Sequence, residues 1–260
     1  MTIGMGYVDP TYLDAAARLV ARGKRLSHER MRLSPGDVVL DVGCGPASDT
    51  LALAELVGPG GVVHGVDRDE VMVEEAERRA SEAGLSGRVE HRRGDVYALP
   101  FADATFDAVR SERLFLHLHH PEKATAEMVR VTKPGGRVVL MDTDWGTRSV
   151  DTPEVDAERK IARVLTETCL ANGYSGRRLY GLMRGAGVTD LTVDLVPLHV
   201  DDYELWRLLS RMEMALEEAV RTGAMTDDEA RRLDDSLREK DAAGTFFAST
   251  TVMLVAGIKG

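Results

Sequence analysis

The stretch Val38-Val39-Leu40-Asp41-Val42-Gly43-Cys44-Gly45-Pro46 constrains this chain more than any other. Its β-branched, apolar opening reads as a buried strand, and its glycines as a tight turn that runs into a helix from Ser48 to Val57. Glycine lets backbone approach a ligand where a Cβ would block it. The helix start that follows offers unpaired N–H groups to a polar ligand atom. Alone, the loop specifies only a nucleotide-like ligand.

The remaining signals alternate strand and helix, the pattern of a largely parallel sheet covered by helices on both faces. Strands are predicted at 38–42, 61–67, 89–93, 106–110, 137–142, 191–200 and 248–258. A helix starts near Asp69 with Met72, Ala76 and Ala80 on one face, and Gly84 is placed to end it. Lys133-Pro134-Gly135-Gly136 reads as a turn before the fifth strand. Between the last two strands, 201–245 forms a helical insertion, either a lid over a site or a dimerisation arm. Its first pattern places Leu205, Leu208, Leu209, Met212, Leu216 and Val220 in one stripe, with Trp206 just off it. Its second opens on a capping box, Thr226 and Glu229. Residues 1–32 read as a helical segment with Leu13, Ala16, Ala17 and Val20 on one face. The whole, 1–260, is expected to be a single domain.

Three landmarks fall at successive strand ends, where open α/β sheets place their ligands. The first is Asp41-x-Gly43-x-Gly45. The second is Asp67, 22 residues after Gly45, placed to accept hydrogen bonds from two ribose hydroxyls. The third is Gly94-Asp95-Val96, where a carboxylate and the following N–H can pair with an adenine edge. A lone strand-end Asp is usually a helix cap or a loop residue. All three in sequence are much harder to attribute to capping.

These residues, with Asp103-x-x-Phe106-Asp107, the run Arg113-Leu114-Phe115-Leu116-His117-Leu118 and Lys133-Pro134-Gly135-Gly136, resemble the class I S-adenosylmethionine (SAM)-dependent methyltransferases, in particular the ubiquinone/menaquinone-type and natural-product group. The resemblance runs from about Leu33 to Asp142 and includes the closing strand. It implies a seven-stranded Rossmann-like sheet with the last strand antiparallel. It implies SAM as cofactor and S-adenosylhomocysteine as product. By position, Gly43 and Gly45 would cradle the methionine part, with Asp41 supporting the loop. Asp67, with its neighbour Arg68, would bind the ribose. Gly94, Asp95 and Val96 would hold the adenine, and Ser111 and Glu112 would border the sulfonium. Where many members carry a further glycine, this chain has Pro46-Ala47, which alters the turn locally. A nicotinamide or flavin fingerprint is excluded by Ser48 at its third small position and by the downstream motifs.

The net charge of −10 argues against a duplex nucleic-acid partner, because phosphate neutralisation needs a clustered basic face. The basic group Arg22, Lys24, Arg25, Arg30 and Arg32 reads as a solvated helix face. No apolar run of about 18 residues exists, so no membrane span is expected. The opening residues lack an apolar signal core, and Cys44 and Cys169 form no disulfide framework; both fit a reducing cytoplasm. No metal-ligand spacing is present.

The acceptor is expected to be a small, partly apolar metabolite, as in secondary metabolism, methylated on O, N or C by a monomer or homodimer. His117, in His117-Leu118-His119-His120, is the candidate base, because an imidazole titrates near neutral pH; the alternative is a structural histidine. Asp144 and Trp145 either line the acceptor pocket or form an Asx turn with a packed ring. His199 and Trp206 are further acceptor-side candidates. A protein of this fold that transfers no methyl group, a cyclase or a binding or regulatory partner, is the competing reading.

Overall fold

The structure, a computed structural model, describes residues 19–260. Leu13, Ala16 and Ala17 lie outside the described residues. Seven strands form one sheet in the order β3-β2-β1-β4-β5-β7-β6, parallel except for the last, β7. They are β1 (Val38–Val42), β2 (Val62–Asp67), β3 (Val89–Arg93), β4 (Phe106–Glu112), β5 (Thr132–Val150), β6 (Val188–Val200) and β7 (Ala248–Lys259). The helices are α1 (Ala21–Met31), α2 (Thr50–Leu56), α3 (Glu70–Glu82), α4 (Pro121–Val131), α5 (Val155–Val164), α6 (Ser175–Gly185), α7 (Tyr203–Leu209), α8 (Met212–Arg221) and α9 (Asp227–Ala242). Strand order reverses between β1 and β4, which makes this the switch point where such sheets bind ligands.

The described residues fall into two compact units. The larger comprises 23–144, 174–196 and 252–260. Its core is built on the central strands, with Leu40, Val109, Val138 and Leu140 packed against Met128, Leu179 and Met183. Helix α3 starts as expected: the Asp69 carboxylate accepts from the Val71 N–H at 3.0 Å. Gly84, at φ +69°, ends it. The predicted Pro134-Gly135-Gly136 turn lies inside β5 as a bulge. Pairing passes from Phe106↔Thr132 to Ala108↔Arg137, so extra residues on β5 loop out. The basic face of α1 is not simply solvated. Arg30 makes a bidentate pair with Asp194 on the edge strand β6, at 2.7 and 2.8 Å, and Lys24 is drawn into a buried charge cluster described below.

The second unit contains 145–173 and 197–251, with the described residues up to Arg22. Here α5, α7, α8 and α9 bury Ile161, Trp206, Met212, Ala215, Leu233 and Leu237. The capping box of α9 forms, with Thr226 Oγ1 accepting from the Glu229 N–H and Glu229 Oε2 accepting from the Thr226 N–H. The single long stripe expected from Leu205 to Val220 is divided. Arg211, at φ +50°, breaks it into α7 and α8. The break changes the phase of the buried face. Tyr203, Trp206 and Leu209 point inward, whereas Leu208 is 42% exposed. Trp206 is therefore central to the packing and not peripheral to it. Helix α5 joins the same unit and is absent from the sequence reading, although Ala157, Ile161 and Val164 recur on one buried face.

Candidate functional site

The strand-end landmarks lie side by side because β3, β2, β1 and β4 are neighbours in the sheet. Gly43 sits at φ +77° and Gly45 at φ +51°. A Cβ on Gly43 would press on Leu114 at 3.3 Å, whereas one on Gly45 would project into open space. The loop is tied to the next strand: the Gly43 and Cys44 N–H groups donate to the Val66 carbonyl at 2.7 and 3.1 Å. Asp67 accepts from the Gly45 N–H at 3.0 Å through one carboxylate oxygen and from the Asp69 N–H at 3.0 Å through the other. The first two landmarks are thus one hydrogen-bonded unit. The third joins them through the Gly94 N–H, which donates to the Asp67 carbonyl at 2.9 Å. Asp95 accepts from the Tyr97 N–H at 2.9 Å, which fixes its carboxylate at the loop surface. Val96 packs on the core, and the side chain of Arg68 is exposed.

Ala47 explains the Pro46-Ala47 departure. It holds φ +69° while fully buried, so the chain keeps the left-handed backbone that a glycine would adopt more easily. Helix α2 begins at Thr50 rather than at Ser48, with Asp49 as its N-cap.

Beneath the loop lies a buried charge cluster that sequence reasoning missed. Asp41 on β1 stands directly opposite Arg110 on β4. The fully buried Arg110 guanidinium lies 3.4 Å from Asp41, 3.2 Å from Asp49 and 2.8 Å from Glu112. Lys24 from α1 reaches Asp49 and, at 3.1 Å, Glu112; His28 reaches Asp49 at 3.0 Å. Burial pushes the Asp41 carboxyl up to about 6, against the pull of Arg110. Burial would also raise Asp49, but Arg110, His28 and Lys24 together hold it well below the usual carboxylate range. Arg110 stays charged because three carboxylates outweigh its burial. The only sequence cue was a cation inside an apolar strand, Phe106 to Glu112, whose partner becomes evident only once β1 and β4 are paired. Glu112 belongs to this cluster. Next to it, Ser111 Oγ is buried and meets no hydrogen-bond partner among the described residues.

His117 ends a short 3-10 turn, Phe115–His117, beyond β4. The turn is anchored by Asp142, whose carboxylate accepts from the Leu116 N–H at 3.0 Å and the Thr143 N–H at 2.7 Å. Burial lifts the Asp142 carboxyl to about 7 despite these donors. His119 and His120 are exposed, and the His120 ring meets Tyr97 edge-on at 5.9 Å. Asp144 is fully buried and paired with Arg177. Trp145, His199 and Trp206 belong to the other unit. There Trp145 lies 6.2 Å from Trp206, and the exposed His199 stacks on Phe247 at 6.1 Å. Among the described residues no three His, Cys, Asp or Glu side chains are grouped to hold a metal ion, and no helix is long and apolar enough to cross a membrane.

The glycine turn, the strand-end Asp67 bonded to it and the strand order are those of a Rossmann-like methyltransferase fold. A family model for the methyltransferase domain matches residues 39–136. An uncharacterised 37.1 kDa protein of transposon TN4556 from Streptomyces fradiae is 34% identical over 251 residues, covering 96% of this chain and 70% of that protein. Demethylmenaquinone methyltransferase of Anoxybacillus flavithermus is 40% identical over 119 residues, 46% of this chain and half of that enzyme. The crystal structure of the cyclase SpnF is 25% identical with a TM-score of 0.57, over 91% of this chain and 80% of that one. This chain belongs to the class I SAM-dependent methyltransferases.

Proposed function

We propose that the protein transfers the methyl group of SAM to an O, N or C nucleophile of a small, partly apolar metabolite, releasing S-adenosylhomocysteine. The observation that carries this reading is the Gly45–Asp67 hydrogen bond, which joins the glycine turn to the ribose-side carboxylate at the switch point of the sheet. The residues fit the cofactor. No protein atom lies within 4 Å of where a Cβ on Gly45 would stand, which leaves room for a ligand there, and Ser111 Oγ is a buried polar atom without a partner among the described residues. Asp67 would take the ribose hydroxyls, Asp95 and the Val96 N–H the adenine edge, and Gly43 and Gly45 the methionine part. Bound there, SAM supplies an electrophilic methyl on a sulfonium. The chain's part is to hold the acceptor in line with it, which in well-oriented cases supplies up to roughly 7–11 kcal/mol of the barrier.

His117 is the residue to receive the acceptor's proton, on a turn held in place by Asp142. His117→Ala is expected to lower turnover at least about tenfold and to leave SAM affinity intact. An unchanged rate would assign the turn a structural role. The free thiols Cys44 and Cys169 support a reducing, cytoplasmic setting.

The likeness to SpnF favours one alternative, a protein of this fold that catalyses ring closure without transferring methyl groups. The two readings separate on incubation of the protein and SAM with metabolite extracts, followed by mass spectrometry. Methyl transfer is expected to add one methylene mass to an acceptor. SAM binding with no such product in any extract would favour the cyclase reading.

A further inference from the structure

In the unit formed by 145–173 and 197–251, buried polar groups converge without satisfying one another. Arg148 is 1% exposed, Glu158 3% and Trp206 2%. Arg148 Nε and Nη1, Glu158 Oε1 and the Trp206 indole N–H meet no hydrogen-bond partner among the described residues. The guanidinium carbon stands 5.4 Å from the centre of the Trp206 ring, and Nη2 donates to the Met212 sulfur at 3.8 Å. Arg148 Nε and Glu158 Oε1 are 3.9 Å apart. Proteins rarely leave such atoms unmade, because each loses its hydration and gains nothing in return.

We propose that Arg148, Glu158 and Trp206 form the polar end of a binding site for a neutral, hydroxyl-bearing aromatic molecule. The site lies within this one unit and goes beyond the methyl-transfer reading. The chemistry follows from the unmet groups. Two kinds of donor, guanidinium and indole N–H, require an acceptor atom, and the Glu158 oxygen requires a donor. A hydroxyl is both. A separation of 3.9 Å is too long for a direct hydrogen bond, yet one oxygen can lie within the ordinary range of about 2.7–3.2 Å from each atom. Neutrality follows from charge: the buried Arg148 and Glu158 balance each other, and Arg159, 3.5 Å from the other Glu158 oxygen, is largely exposed, so a carboxylate or phosphate would bring an uncompensated charge into the interior. The aromatic body follows from Trp145, partly exposed and tilted by 57° against Trp206, which presents a second ring beside the polar end. Burial draws the Arg148 guanidinium down to about 10 and the Glu158 carboxyl upward, so both groups favour a ligand that bridges them.

Trp145 and Trp206 are the two tryptophans of the chain, so protein labelled with nitrogen-15 at the indoles gives one resonance for each, assigned with Trp206→Phe. Titration with p-cresol is expected to shift the Trp206 indole N–H saturably. The methyl ether p-methylanisole, which cannot donate to Glu158, is expected to bind at least about tenfold more weakly, and benzoate not to shift the resonance. The double variant Arg148→Met/Glu158→Leu removes both charges together, so it leaves no unpaired buried ion and is expected to fold. It should lose the response. A Trp206 resonance indifferent to p-cresol, equal affinity for p-cresol and its ether, or a response surviving in the folded double variant would overturn the proposal. Calorimetry with S-adenosylhomocysteine on the same sample separates the two readings. Binding of that product without a p-cresol response defeats this site alone, whereas a p-cresol response without it defeats the methyl-transfer reading.

Discussion

At the scale of single residues, the site depends on backbone positions that tolerate little. Gly45→Ala adds a methyl at φ +51° where no protein atom stands in the way. It is expected to fold with a loss of about 1–2 kcal/mol for the left-handed conformation and to bind SAM at least tenfold more weakly, because the added carbon occupies the cradle. Calorimetry alongside urea unfolding checks both. Asp142 sets a pH dependence. Its folded value of about 7 lies above that of an unfolded aspartate, so the folded state holds more protons between these values. Stability therefore falls as pH rises through that window, and Asp41, raised to about 6, adds to the fall. In Asp142→Asn the part of the slope between about pH 4 and pH 7 that Asp142 causes is expected to vanish, as read from urea midpoints across pH. A slope identical in wild type and variant would contradict this. Gly43, Gly45 and Asp67 were legible in the sequence because their chemistry is written as residue type and spacing. Asp142 was not legible as an anchor, since its role depends on a turn that folds back onto it from Leu116.

At the scale of elements, most strands were legible because β-branched runs bounded by glycines have few other ways to fold. The left-handed backbone at Ala47 was not, because an alanine carries no sequence sign of it. The break at Arg211 was hidden for the same reason: a stripe from Leu205 to Val220 is continuous in sequence, and only the φ of Arg211 divides it. Arg211→Gly is expected to stabilise the unit by up to about 1 kcal/mol, since glycine takes that conformation without strain but gains entropy when unfolded. A lower melting temperature would show that the arginine side chain contributes more than the strain costs. Thr226→Ala removes the cap of α9 and is expected to cost roughly 0.5–2 kcal/mol. The β1–β4 pairing carries a larger penalty. Arg110→Met would leave Asp41, Asp49 and Glu112 buried beside one another. It is expected to destabilise by about 3–5 kcal/mol in urea unfolding; a near-neutral effect would mean the cluster contributes little to folding.

At the scale of the whole molecule, the sheet gathers at the carboxyl ends of neighbouring strands what the chain spreads from Asp41 to Glu112. The family was readable from sequence because its motifs fall in a fixed order along 39–136. The acceptor was not, because none of those motifs names one. Trp145 and Trp206 gain meaning only from the atoms of Arg148 and Glu158 in the same unit that lack hydrogen-bond partners among the described residues, which no motif marks. The central claim, that the glycine turn and Asp67 form one SAM-binding unit, is tested most directly by calorimetric titration of the wild-type protein with SAM. Saturable binding of one SAM per chain, greatly weakened in Asp67→Ala, is the expected result. An absence of binding to the folded wild-type protein, or equal binding by the variant, would contradict it.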